Sequence, residues 1–138
     1  MRDFLSLALQ RQSDRAFDSS RPVEKEKLER ILEAARMAPS ACNAQPWHFI
    51  VVDDPELRNQ VADATSSKLI GINHFTKQAQ VHIVVVEESV NLSSGFGSLV
   101  KDKKFAHVDI GITAAHLCLA AEDEGLGTCI IGWFNESK

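Results

Sequence analysis

The sequence is poor in the residues that staple, export or anchor small domains. Its three cysteines, Cys42, Cys118 and Cys129, are odd in number, widely spaced and form no C-x-x-C pair. That argues against a disulfide framework and against a zinc ribbon. No stretch approaches the ~20 apolar residues of a membrane-spanning helix. Met1-Arg2-Asp3-Phe4 places an acid where a secretory leader would begin its apolar segment. Basic charge is scarce as well: 15 Lys and Arg stand against 19 Asp and Glu, a formal net charge of −4, which suits a phosphate backbone poorly. The five histidines are scattered and offer no pair at helical metal-ligand spacing. What is present is ordinary for a globular chain, with 44% hydrophobic and 25% charged residues in 138. A chain of that length buries a sufficient core without cross-links. The expectation is one cytoplasmic domain over residues 1–138 that handles a small ligand, not a metal, a nucleic acid or a membrane.

Hydrophobic spacing predicts the elements. Phe4–Arg11 reads as a short amphipathic helix, followed by polar Gln12–Ser20 and the break at Arg21-Pro22. Glu24–Met37 is the clearest helix, with Leu28, Ile31, Leu32 and Ala35 at i, i+3, i+4 and i+7 and charges opposite. Pro39 stops it. Trp47–Val52 and Val81–Glu87 read as strands, and Glu56–Ala64 as a helix between them. Ser89–Lys104 reads as a polar, glycine-bearing connection. Val108–Glu124 is apolar on nearly every side, which implies burial within one subunit or between two. Gly125 and Gly127 suit a left-handed helix stop, and Thr128–Trp133 reads as a third strand. Helices alternating with β-rich runs indicate an α+β or α/β layered domain.

Two segments hold residue types suited to a ligand. In Arg11-Gln12-Ser13-Asp14-Arg15, two guanidinium groups and a hydroxyl can converge on one phosphate. The plainer alternative is a solvated helix end with cations at its negative pole. In Pro39-Ser40-Ala41-Cys42-Asn43-Ala44-Gln45-Pro46-Trp47, a polar loop lies between a helix end and a buried strand. Its amides can read the edge of a planar heterocycle, or simply cap a turn beside a core tryptophan.

These two segments, in this order and followed by Gly125-Leu126-Gly127-Thr128 after an apolar helix, resemble the FMN-dependent nitroreductase family. The resemblance runs through Arg11–Phe17, Glu24–Met37, Pro39–Val52 and Asp109–Phe134. It implies an α+β, three-layer fold with a central, mainly antiparallel sheet flanked by helices. It also implies an intertwined homodimer with FMN at the subunit interface. Electrons from NADH or NADPH would pass by hydride transfer through flavin N5 to nitroaromatic, quinone or related acceptors, in ping-pong fashion. No catalytic side chain is implied beyond the flavin itself. By position, Arg11, Gln12, Ser13 and Arg15 match contacts to the FMN phosphate and the flavin's pyrimidine side. Pro39, Ser40 and Asn43 match the segment that reaches the flavin held mainly by the other subunit. Asn73, Ile130, Ile131 and Gly132 complete the cofactor-binding set. The family pattern continues through a further helix and strand that these 138 residues do not include. The alternative reading is therefore a flavin-binding module without turnover.

The remaining candidates favour structural roles. The histidines read as hydrogen-bonded structural residues, Cys42 as a buried small hydrophobe rather than a nucleophile, and Trp133 and Phe134 as core. Phe96 reads equally as a lid over the ligand or as an idle loop residue.

Overall fold

The computed structural model of the protein describes residues 3–67, 69–88 and 105–137. Helix α1 (Phe4–Gln10) starts at Asp3, whose carboxylate accepts the Leu5 and Ser6 amides. Helix α2 spans Lys25–Arg36. A short 3-10 turn, Ala41–Asn43, leads into strand β1 (Trp47–Val52). Helix α3 (Pro55–Thr65) follows at once, because Asp54 caps the Glu56 and Leu57 amides and Pro55 occupies the first helical position. A second 3-10 turn, His74–Gln78, precedes strand β2 (His82–Glu87). The long helix α4 runs over Phe105–Asp123.

The two strands pair antiparallel, with Trp47 opposite Glu87 and Val52 opposite His82. Alternation along them turns Phe49, Ile83 and Val85 toward a core built on Ile31 and Ala35 of α2 and Leu117 and Ala121 of α4. Helices α2 and α4 thus cover one face of the sheet. On the other face Ile50, Val84 and Val86 stay exposed among the described residues. The α+β class and the antiparallel sheet agree with expectation.

The helix α4 resolves the ambiguity of its all-apolar sequence. Asp109, Thr113, Leu117, Cys118 and Ala121 are buried, whereas Val108 on the opposite side is 59% exposed. One chain therefore hides only one face of it. At its end, Gly125 adopts a φ of 74°, and the Leu126 amide donates to Ala121 O at 2.8 Å, closing the helix as a left-handed stop does. Gly127 has no such φ. Its role is clearance, since a Cβ there would run into the side chain of Asp14.

Three expectations are corrected. Thr128–Trp133 is not a strand: Thr128 makes a single parallel bridge to Ser13, and no ladder continues from it. A β-branched run becomes a strand only where a neighbour accepts its backbone bonds. Trp133 and Phe134 are 42% and 54% exposed rather than core. Cys42 is exposed, carried outward by a turn whose backbone is left-handed. Among the histidines, His116 is hydrogen-bonded to Ala34 O at 3.0 Å, but Nε2 of His82 is buried without a partner among the described residues. Phe96 and the Ser89–Lys104 connection lie outside the described residues.

Candidate functional site

The first candidate segment is held in place by a contact between distant parts of the chain. The chain leaves α1 at Arg11 in an extended conformation (φ −57°, ψ 121°). The Asp14 amide then donates to Thr128 O at 2.8 Å beside the Ser13–Thr128 bridge. This draws Arg11–Ser13 alongside the stretch that follows α4. Arg11, Gln12 and Ser13 form one wall of a cleft of about 170 Å³, Thr128 and Ile130 another, and Gly111, Ala115 and Cys118 of α4 its floor.

The cleft carries one full cation, the Arg11 guanidinium, with the Ser13 and Thr128 hydroxyls near it. Among the described residues Arg11 makes no ion pair. Gln12 Nε2 donates to Asp14 Oδ1 at 2.8 Å, which gives the neighbouring carboxylate a donor. The floor residues are small, and a Cβ on Gly111 would meet nothing within 4 Å. Ile130 is 65% exposed at the rim. An unpaired guanidinium and a hydroxyl beside an apolar ledge suit an anionic group joined to a flat apolar body.

The other proposed contacts lie elsewhere. Arg15 is exposed, and its Nη1 donates back to Ser13 O at 3.3 Å. Ile131 and Gly132 continue the extended stretch beyond Ile130 without lining the cleft. Pro39, Ser40 and Asn43 sit on the loop between α2 and β1. There the Gln45 amide donates to Ser40 Oγ at 2.9 Å, and the Asn43 amide to Ser40 O at 3.0 Å. Cys42, Asn43 and Gln45 all have positive φ, 54°, 53° and 47°. This loop contacts α4 rather than the cleft, through the Ala41 amide and Asp109. Asn73, itself left-handed at φ 57°, spends its side-chain amide on Thr65 O at 2.9 Å. Gly111, Ala115, Cys118 and Thr128 were not among the expected residues. The small residues at 111, 115 and 118 recur at i, i+4 and i+7, a spacing that marks one helical face.

With this geometry established, comparison with known proteins is decisive. The nitroreductase family model matches residues 8–138. The chain belongs to the nitroreductase family. It is 45% identical to an oxygen-insensitive NADPH nitroreductase of Helicobacter acinonychis, an alignment covering 94% of this chain and 73% of that protein. A crystal structure of a nitroreductase family protein from Clostridium novyi superposes with a TM-score of 0.83 at 30% identity, covering 99% of this chain and 73% of that one. An FMN-dependent nitroreductase from Clostridium difficile superposes at 0.73 with 31% identity, covering 91% of this chain and 64% of that one. The nitroreductase-like α+β fold is therefore shared across the chain.

Proposed function

We propose that this nitroreductase-family chain binds FMN, with the phosphate end in the Arg11–Ser13 cleft, and uses NADH or NADPH to reduce small nitroaromatic, quinone or related acceptors. The observation that carries the reading is Arg11, without an ion pair among the described residues, beside Ser13 and a floor of small residues. The residues fit the group. Arg11 would offer the phosphate a fork of donors and Ser13 a hydroxyl, while Ile130 would offer the rings an apolar ledge. When bound, FMN supplies hydride chemistry at its N5, taken from NADH or NADPH and given to an acceptor in alternating, ping-pong turns.

The size of the cleft supports a homodimer. About 170 Å³ is short of the ~300–1,000 Å³ of a pocket that encloses a small ligand. Phe4, Leu5 and Leu9 of α1 are exposed by 66% or more, and Val108, Ile130 and Phe134 by more than half. That apolar surface suits a second copy of the chain, which would close the site. The loop carrying Pro39, Ser40 and Asn43 would reach the FMN of that other copy, and Arg15, Ile131 and Gly132 would join the site as it closes.

Two measurements test this. The purified protein is expected to take up FMN, and the bound flavin to bleach anaerobically on addition of NADH or NADPH. Arg11→Ala removes a charge-assisted bond of about 1.5–3 kcal/mol, so the Kd for FMN should rise roughly 10- to 150-fold. Arg11→Lys, which keeps the charge without the fork, should fall between. A protein that takes up no FMN overturns the proposal, and uptake without bleaching reduces it to flavin binding alone.

A further inference from the structure

We infer that Asp109 is the positioning residue that fixes the loop of residues 39–46 against helix α4. Asp109 is 4% exposed, and the Ala41 amide lies 3.1 and 3.2 Å from its two carboxylate oxygens. Among the described residues that amide is its only hydrogen-bond donor. Farther along the same helical face, Thr113 Oγ1 donates to Ala35 O at 2.8 Å and His116 Nδ1 bonds Ala34 O at 3.0 Å. Those two side chains take up carbonyls from the last turn of α2, which a helix end leaves short of partners. Thr113 and His116 are thereby explained by the packing of two helices. Asp109 is not.

The Asp109 bond goes to the loop rather than to α2, so the packing of the two helices does not account for it. What the bond controls is the start of a strained segment. Immediately after Ala41 come Cys42 and Asn43, and then Gln45, all left-handed and none of them glycine. Such backbone persists only where its surroundings over-determine it. Here the restraints include Asp109 on the Ala41 amide at one end, Ser40 Oγ on the Gln45 amide at the other, and the turn's own Asn43–Ser40 and Ala44–Ala41 backbone bonds between them. The buried acceptor at the loop's entry sets the direction in which exposed Cys42 and Asn43 project. The consequence for cofactor binding rests on the proposal that this loop reaches FMN bound by a second copy.

Hydrogen exchange of the full chain, read by mass spectrometry with and without FMN, tests the assignment alongside FMN titration. Asp109→Ala is expected to speed exchange across residues 39–46 at least tenfold, with strands β1 and β2 unchanged, and to weaken FMN binding about as much, the range carried by a bond to a charged acceptor. Asp109→Asn keeps an oxygen for the Ala41 amide and should restore both to within about threefold of the parent. Ala41→Pro removes the donor instead. Ser40 is already extended (φ −143°, ψ 157°), as a residue before proline must be, and Ala41 opens a helical turn where proline is tolerated. This second variant should reproduce Asp109→Ala, and it decides the matter if the alanine variant does not fold. Unchanged exchange over 39–46, or equal acceleration in the β-strands, overturns the inference. Failure of the parent protein to take up FMN would refute the functional proposal instead, and the exchange arm, which needs no flavin, would still decide the role of Asp109.

Discussion

Replacing Gly127 by alanine tests the contact that assembles the cleft. A Cβ at Gly127 would overlap the Asp14 carboxylate and lie 3.0 Å from Asp14 Cγ and 3.3 Å from its Cβ, so the whole Asp14 side chain has to move. Gly127 has no positive φ, and alanine therefore adds no backbone strain of its own. The effect is steric and falls where the Asp14 amide meets Thr128 O and where Gln12 holds Asp14. Overpacking of this kind costs about 1–3 kcal/mol, and losing the Gln12–Asp14 bond adds about 1 kcal/mol. Urea unfolding followed by circular dichroism, at matched protein concentration, should show a loss in that range with an unchanged slope. FMN affinity should fall with it. Asp14→Ala in the same chain empties the space the new methyl needs, so the double variant should recover at least about 1 kcal/mol relative to additivity. Strict additivity, or a Gly127→Ala protein within about 0.5 kcal/mol of the parent, a shift no larger than an ordinary surface substitution gives, would refute the clearance role of this glycine.

Two further outcomes follow from buried polar groups. Burial first, and the neighbouring Arg58 charge second, hold His82 below the ordinary imidazole value of 6.5. As pH falls through that value the unfolded chain takes up a proton before the folded one, so stability drops on acidification. His82→Gln should flatten this dependence in urea titrations at pH 7.5 and 5.5, and an identical slope in both proteins would contradict it. Thr113→Val keeps the shape of a fully buried residue and removes its bond to Ala35 O, which still receives the Ala38 amide at 3.1 Å. The melting curve should report a loss of about 1 kcal/mol, and no loss at all would contradict the role given to that hydroxyl.

Local chemistry made much of this fold legible. The Leu28, Ile31, Leu32 and Ala35 spacing before Pro39 locates α2 to within a residue at each end, and Asp53-Asp54-Pro55 ends β1 where the strand ends. The misreadings have a common physical origin. Thr128–Trp133 has strand-forming side chains, but a ladder depends on a neighbour that no local pattern announces. Trp133 and Phe134 carry the composition of a core and lie on the outside for the same reason. At the site, Arg11 and Ser13 were readable because their donor chemistry is local, whereas Gln12 and Ile130 came only from the family resemblance. The floor of Gly111, Ala115 and Cys118 was hidden because α4 is apolar on every side, and sequence alone does not say which face one chain covers.

That ambiguity in α4 bears on how the two candidate segments are related. At about 100° per residue, Thr113 and His116 fall within roughly 40° of Asp109 around the helix axis, whereas Gly111, Ala115 and Cys118 fall roughly 180–240° away. One side of a single 19-residue helix thus grips α2 and the loop of residues 39–46, while the other side floors the Arg11 cleft. A helix of that length is stiff, so a local change on one of its faces is not passed to the other by bending. If the loop serves a partner's cofactor and the cleft serves the chain's own, each α4 carries both halves of the geometry. Loosening Asp109 on one side should then leave the Gly127 contact near the other intact. The double variant Asp109→Ala with Gly127→Ala is expected to lose stability additively, to within about 0.5 kcal/mol. Marked coupling between the two would mean that α4 bends or shifts between its faces, and the rigid link would be wrong.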